Sequence, residues 1–147
     1  MTLARDIDPV LNAGPVIAVM VIEREADAVP LARALCAGGM KVLEITLRTP
    51  AALAAIDHIV REVPEAITGA GTLYTARQID ECLKAGARFG VSPGSTPALR
   101  AAAKASGLAF LPGAATASEV MALAEDGFER LKFVDGAPRS RRSQELG

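Results

Sequence analysis

"KVLEITLRTPAALAAIDHIVREVPEAITGAGT", residues 41–72, is the stretch on which the fold turns. Its first eight residues, 41–48, are a short apolar and β-branched run and read as a strand. Residues 51–63 then place apolar side chains three and four apart, which gives a helix one buried face. Between them, Thr49-Pro50 sets a capping hydroxyl before a proline at the first helical position, where a missing N–H costs nothing. A second short run at 67–72 follows, rich in glycine. Strands joined through a helix lie parallel, and a run that is apolar on both faces belongs to a sheet covered on both sides.

The same alternation extends in both directions. Candidate strands stand at 16–20, 41–48, 67–72, 88–93, 109–114 and 130–134, with starts about 25, 26, 21, 21 and 21 residues apart. Each interval holds one strand, one helix and two short loops. Thr96-Pro97 repeats the cap-and-proline pattern, and Thr75 with Gln78 and Thr116 with Glu119 have the spacing of a capping box. Gly38-Gly39, Gly86, Gly107 and Gly127 fall where helices should end.

A doubly wound open sheet and a barrel both satisfy this α/β pattern. The regular period, with no change in strand character, favours a parallel (β/α)8 barrel, of which about six of eight units are legible. Residues 1–134 are expected to form this incomplete barrel domain. From Asp135 onward the text is Gly, Pro, Ser and Arg without hydrophobic period, so 135–147 is expected to be an irregular, disordered tail and the chain to be cut short.

Composition narrows the function classes. Half of the 147 residues are hydrophobic, 22% are charged and the formal net charge is −1, which argues against nucleic acid or an acidic membrane as partner. Aromatic residues make up 3% with no tryptophan, so stacking platforms for single-stranded nucleic acid are not expected. Cys36 and Cys82 lack metal-ligand spacing and lie in helical patterns, as packing thiols of a reducing compartment would. The charged N-terminus does not read as a signal peptide and no apolar stretch has spanning length, so a cytoplasmic location is expected.

In parallel β/α folds, reactive groups gather where strands end and helices begin. That rule selects Glu44, Thr46 and Arg48 at the second strand and Gly69, Gly71 and Thr72 at the third. At the later strands it selects Ser92, Pro93 and Gly94, then Pro112 and Gly113, then Lys132. Glu44, Thr46 and Arg48 are spaced by two and are expected on one side of their strand, with Leu43, Ile45 and Leu47 on the other. One reading of the charges is a structural ion pair among Glu44, Arg48 and Lys132. The other is chemical. A lysine desolvated in an apolar strand holds its proton less tightly and can attack a ketone to form a Schiff base. Glu44 could then move protons, and Arg48 and Thr72 could hold the carboxylate of an α-keto acid.

Other motifs carry less. GAGT at 69–72 opens like a dinucleotide fingerprint but lacks the third glycine. His58 is the only histidine and sits mid-helix, which leaves a histidine triad or zinc site without its parts. No metal or other cofactor is expected.

The segments GPVIAVM, KVLEITLRTP, VPEAITGAGTL, AGARFGVSPG, FLPGAATASE and LKF, in this order and spacing, resemble the 2-keto-3-deoxy-6-phosphogluconate and 4-hydroxy-2-oxoglutarate aldolases, which are class I Schiff-base lyases. The resemblance runs from about residue 14 to 133. It implies that Lys132 forms the Schiff base, that Glu44 is the general acid/base, that Arg48 and Thr72 bind the substrate carboxylate and that Pro93 lines the site. It further implies a small keto-acid substrate, a place in the Entner-Doudoroff pathway and a homo-oligomer, as a trimer. After the lysine the family continues FFPAE, whereas this chain reads FVDGA, and the two units that hold the substrate phosphate have no counterpart in residues 135–147. The alternative implied is a catalytically impaired fragment that only self-associates through open strand edges. A barrel-type phosphosugar isomerase is a third reading, and it leaves Lys132 without a role.

Overall fold

The computed structural model describes residues 6–134, so the expected tail at 135–147 lies outside the described residues. A short helix, α1 (Asp8–Leu11), precedes β1 (Ala18–Met20), α2 (Glu25–Ala37), β2 (Val42–Thr46), α3 (Ala52–Glu62), β3 (Ile67–Gly71) and α4 (Ala76–Lys84). There follow β4 (Phe89–Val91), α5 (Pro97–Ser106), β5 (Ala109–Leu111), β6 (Gly113–Ala114), α6 (Ala117–Glu125) and β7 (Lys132–Phe133). Strands β1 to β5 form one sheet in chain order, every pair parallel, and β6 pairs in parallel with β7. This is the parallel α/β arrangement of a partial barrel, with each of the six expected strands in place.

The fifth strand differs from expectation. It is divided at Pro112, which has no N–H to give to a neighbour. Below the proline, β5 pairs with β4; above it, β6 turns to β7, and the Pro112 carbonyl accepts the backbone N–H of Lys132 at 2.9 Å. One chain segment thereby serves two neighbours and brings Lys132 into the sheet.

Of the four helix starts expected to carry a threonine cap, three do. Thr75 and Thr116 form full capping boxes with Gln78 and Glu119, and Thr96 caps α5 by accepting the Leu99 N–H. Thr49 does not cap α3, whose first turn begins after Ala51. Its hydroxyl instead donates to the Ile22 carbonyl at 2.5 Å, tying the loop after β2 to the loop after β1. At Gly127, φ is +86°, the left-handed turn that lets the chain leave α6 for β7.

Strands β2 to β5 are covered on both faces. Leu43, Ile45 and Ala70 join Ala55, Ile56, Ile59, Ile79 and Leu123 in the layer between sheet and helices. Inside the curve of the sheet, Val42, Phe89, Val91, Ala109 and Leu111 form a second cluster, closed from the N-terminal side by Ile7 and Val10 of the α1 region. Sequence reading did not anticipate α1. It is held to the far end of the fold by Arg130, which donates two hydrogen bonds to the Asp8 carboxylate at 2.8 and 3.0 Å. Phe89 is fully buried, and its ring lies over Gly69, where an added Cβ would stand 2.5 Å from ring carbons. Phe89→Ala is therefore expected to cost about 3–5 kcal/mol, read as a lower denaturant midpoint, because the ring fills the interior and little can collapse into its place.

Both cysteines are free and buried. Burial, with a smaller push from Glu81, drives the Cys82 thiol up to about 12. Since the thiolate is the reactive form, native protein is expected to leave Cys82 unlabelled by a disulfide reagent that labels it fully in denaturant. Among the described residues no helix is long and apolar enough to cross a membrane.

Candidate active site

On β2 every residue is buried, and Glu44 is 4% exposed. Leu43 and Ile45 enter the helix layer, so Val42, Glu44 and Thr46 take the inner face. The expected alternation ends there. Thr46 donates its hydroxyl to the Met20 carbonyl at 3.0 Å and links β2 to β1. Arg48 lies beyond the strand, in the turn before α3, with its side chain exposed. It makes no ion pair among the described residues, but its charge acts on Glu44.

Glu44 lies beside β3. The register pairs Glu44 with Gly69 and Thr46 with Gly71, yet a Cβ on Gly71 would stand 2.7 Å from the carboxyl carbon of Glu44 and 2.8 Å from its Cγ. The side chain thus leans along the strand towards its C-terminal end. Thr72 follows directly, half-buried, at φ +64°, the one non-glycine residue with positive φ among the described residues. Such a conformation costs about 1–3 kcal/mol and persists where neighbours impose it. Here the Gly71 carbonyl accepts the Leu47 N–H at 2.9 Å, and the Leu73 N–H donates to Val91 at 3.1 Å, so Thr72 is pinned from both sides.

Lys132 reaches in from β7. Its backbone is set by the register with Gly113, and its Nζ stands 3.7 Å from Glu44 Oε1. That separation is a charge contact and not a hydrogen bond. The ammonium is less enclosed than a lysine in an apolar strand suggested, since its side chain is 37% exposed against 5% for Glu44. Gly113 in turn is needed for close approach: a Cβ there would stand 2.5 Å from the Pro93 carbonyl carbon and 2.6 Å from the Ser92 oxygen. Pro93 itself is exposed, with its backbone against the strand that positions Lys132.

Burial pushes the Glu44 carboxyl above the ordinary carboxylate range, and the charges of Lys132 and Arg48 pull it part of the way back. A raised carboxyl holds its proton to higher pH than an exposed one, which suits a group that both takes and returns a proton. Of the three charges read as one structural ion pair, Glu44 and Lys132 stand together, and Arg48 makes no ion pair among the described residues. Gly71, Thr72 and Gly113 were selected by their place at strand ends, but the space that the two glycines make and the positive φ of Thr72 were not read from the sequence. Glycine at positions that otherwise read as strand was the available signal.

The profile of the family described as "KDPG and KHG aldolase" matches residues 7–138. The chain belongs to this aldolase family. It is 52% identical over 129 residues to a 2-dehydro-3-deoxy-phosphogluconate aldolase of Zymomonas mobilis, covering 88% of this chain and 62% of that relative. A crystal structure of 2-keto-3-deoxy-6-phospho-gluconate aldolase from Zymomonas mobilis superposes with a TM-score of 0.84, over 88% of this chain and 62% of that one. A KDPG aldolase from Legionella pneumophila, solved with pyruvate captured at low pH as a covalent carbinolamine intermediate, is 45% identical with a TM-score of 0.82, over 84% of this chain and 60% of that one. The chain therefore spans about six-tenths of the length of these family members.

Proposed function

We propose that this chain carries the imine-forming site of a class I aldolase that cleaves 2-keto-3-deoxy-6-phosphogluconate, with 4-hydroxy-2-oxoglutarate as a further substrate, to pyruvate and an aldehyde. The observation that carries the reading is the Glu44–Lys132 pair, buried carboxyl against partly open amine at 3.7 Å, at the C-terminal edge of a family fold.

In this mechanism Lys132 Nζ, as the free amine, adds to the keto carbonyl of the substrate. The carbinolamine loses water to give an iminium. Glu44 as carboxylate removes the proton of the C4 hydroxyl, the C3–C4 bond breaks, and its electron pair moves into the iminium to leave an enamine and the free aldehyde. Protonated Glu44 then returns the proton to C3, and water hydrolyses the resulting imine to release pyruvate. Arg48 supplies a cation and Thr72 a hydroxyl for the substrate carboxylate, and Pro93 borders the same opening. No cofactor enters these steps. Two free, buried thiols support a cytoplasmic setting for such an enzyme, and the family resemblance is what supports a homotrimer as its assembly.

Incubation with pyruvate and borohydride, followed by intact mass, tests the reading. A single reduced pyruvyl adduct that maps to Lys132 is the expected result. A folded chain that takes up none would sink it.

A second reading, a non-catalytic chain that self-associates, is favoured by the strand edges. Val19, in register with Glu44, is 54% exposed, and Phe133 of β7 is 79% exposed. That reading predicts no adduct together with concentration-dependent assembly in sedimentation velocity.

A further inference from the structure

We infer that Gly71 is a positioning residue, whose bare Cα lets the Glu44 carboxylate lie across β3 and reach Lys132. The functional half of this inference rests on the aldolase reading above; the geometric half does not.

Gly71 is not a glycine that the backbone requires. The positive-φ glycines among the described residues are Gly39, Gly86, Gly107 and Gly127, and Gly71 is an ordinary residue at the end of β3. Glycine is a poor choice for a strand, since it offers nothing to pack and loses most freedom on ordering. What the position needs is therefore space, and the structure shows for what. The three atoms nearest to a Cβ at Gly71 belong to the Glu44 side chain, whereas the three nearest to a Cβ at Gly69 belong to the Phe89 ring.

These two glycines divide the inner face of β3 between two occupants. The Phe89 ring takes the level of Gly69, which is the register partner of Glu44. Glu44 cannot stand straight out over its own partner and so leans up the strand to the level of Gly71. That lean brings Oε1 to 3.7 Å from Lys132 Nζ. A methyl group at 71 would displace the carboxylate, and neither neighbour leaves it a simple retreat: Phe89 fills the level below, and Thr72 is held by its flanking hydrogen bonds above. In the aldolase reading Glu44 must meet the hydroxyl and carbon of a substrate bound to Lys132, so a displaced carboxyl slows proton transfer while the amine stays where it was.

A double-mutant cycle tests the geometry without reference to activity. Thermal melts of the full chain, Gly71→Ala, Glu44→Ala and the double variant are compared, with Gly69→Ala as a control. Gly71→Ala is expected to lower the melting temperature clearly in the native background and hardly at all in the Glu44→Ala background. Gly69→Ala should show no such dependence on Glu44. If Gly71→Ala does not fold, recovery of folding in the double variant supports the inference, and its absence overturns it. Equal losses in both backgrounds also overturn it.

The chemical arm follows exchange of the pyruvate methyl protons in heavy water. Gly71→Ala should lose about tenfold or more in exchange rate, within the range for a misplaced acid–base group, with partial recovery when Glu44→Asp is added to shorten the side chain. Coupled melts with unaltered exchange would reduce Gly71 to a packing residue and overturn the positioning role. If the native chain gives no pyruvate adduct, the aldolase reading fails, and the melt cycle still decides whether Gly71 sets the place of Glu44.

Discussion

Lys132→Ala is expected to abolish the borohydride-trapped pyruvate adduct and to lower any aldol cleavage on the order of 10⁴- to 10⁶-fold, the scale on which removal of a catalytic nucleophile is felt. Lys132 is held at β7 by its backbone bond to Pro112 and its register with Gly113, so loss of the side chain leaves the strand intact. Among the described residues no other amine pairs with the Glu44 carboxylate. Truncation also takes away one of the two charges that favour ionised Glu44, and its carboxyl should move further up. The stability lost should be less than the ~3–5 kcal/mol of a fully buried broken pair, because the lysine side chain is 37% exposed. Lys132→Arg separates the two effects. It keeps the charge beside Glu44 but offers no free amine, so it should fold with near-native stability and trap nothing. Intact mass with peptide mapping reads both variants, and an adduct of undiminished yield in either one would remove Lys132 from the mechanism.

Glu44→Gln is expected to leave imine formation measurable and to slow the proton-dependent steps, methyl exchange and C–C cleavage, by about 10²- to 10⁴-fold. It should also change how stability depends on pH. Burial raises the Glu44 carboxyl, so the folded chain binds this proton more tightly than the unfolded chain does. The resulting stabilisation is fully present below the ordinary carboxylate range and is lost as pH rises through the raised folded value. Glutamine does not titrate. Relative to the native chain, Glu44→Gln should therefore become progressively more stable as pH rises through that interval, then hold a constant difference above it. Denaturant midpoints across pH 4 to 8, roughly the interval in which raised carboxyls titrate, check the sign. A difference that is flat with pH, or that runs the other way, would mean that Glu44 is not held up by burial. Lower activity combined with higher stability near neutral pH is the signature of a group kept for chemistry and not for the fold.

Much of the architecture was legible because it rests on local rules. The strand–helix period, the capping boxes at Thr75 and Thr116, the Thr96-Pro97 start and the turn at Gly127 all depend on residues a few positions apart. Thr49-Pro50 shows the limit of such rules. The same dipeptide pattern that caps α5 fails at α3, because the Thr49 hydroxyl finds the Ile22 carbonyl of the preceding loop, a partner 27 residues away. Pro112 is a similar case. A proline in a strand was visible, but that it would hand the chain from one neighbour to the next follows only once β7 is present to use its carbonyl.

For the site, the sequence by itself determined the cast: which residues bear charge, which strand each ends, and which family the pattern resembles. Glu44 on an inner face followed from period-two alternation, and Lys132 stood out as a charge in an apolar run. Only the tertiary structure decided how these groups meet. The 3.7 Å approach of Lys132 to Glu44, the space at Gly71 that admits the carboxylate, the contact of Gly113 with the Pro93 backbone and the left-handed turn at Thr72 each join different strands. Alternation and capping are properties of one chain segment and its own dihedral angles, so they are written in neighbouring residues. Distances across a curved sheet depend on register, on twist and on which atoms are missing between two strands, and those are settled only when the strands pack.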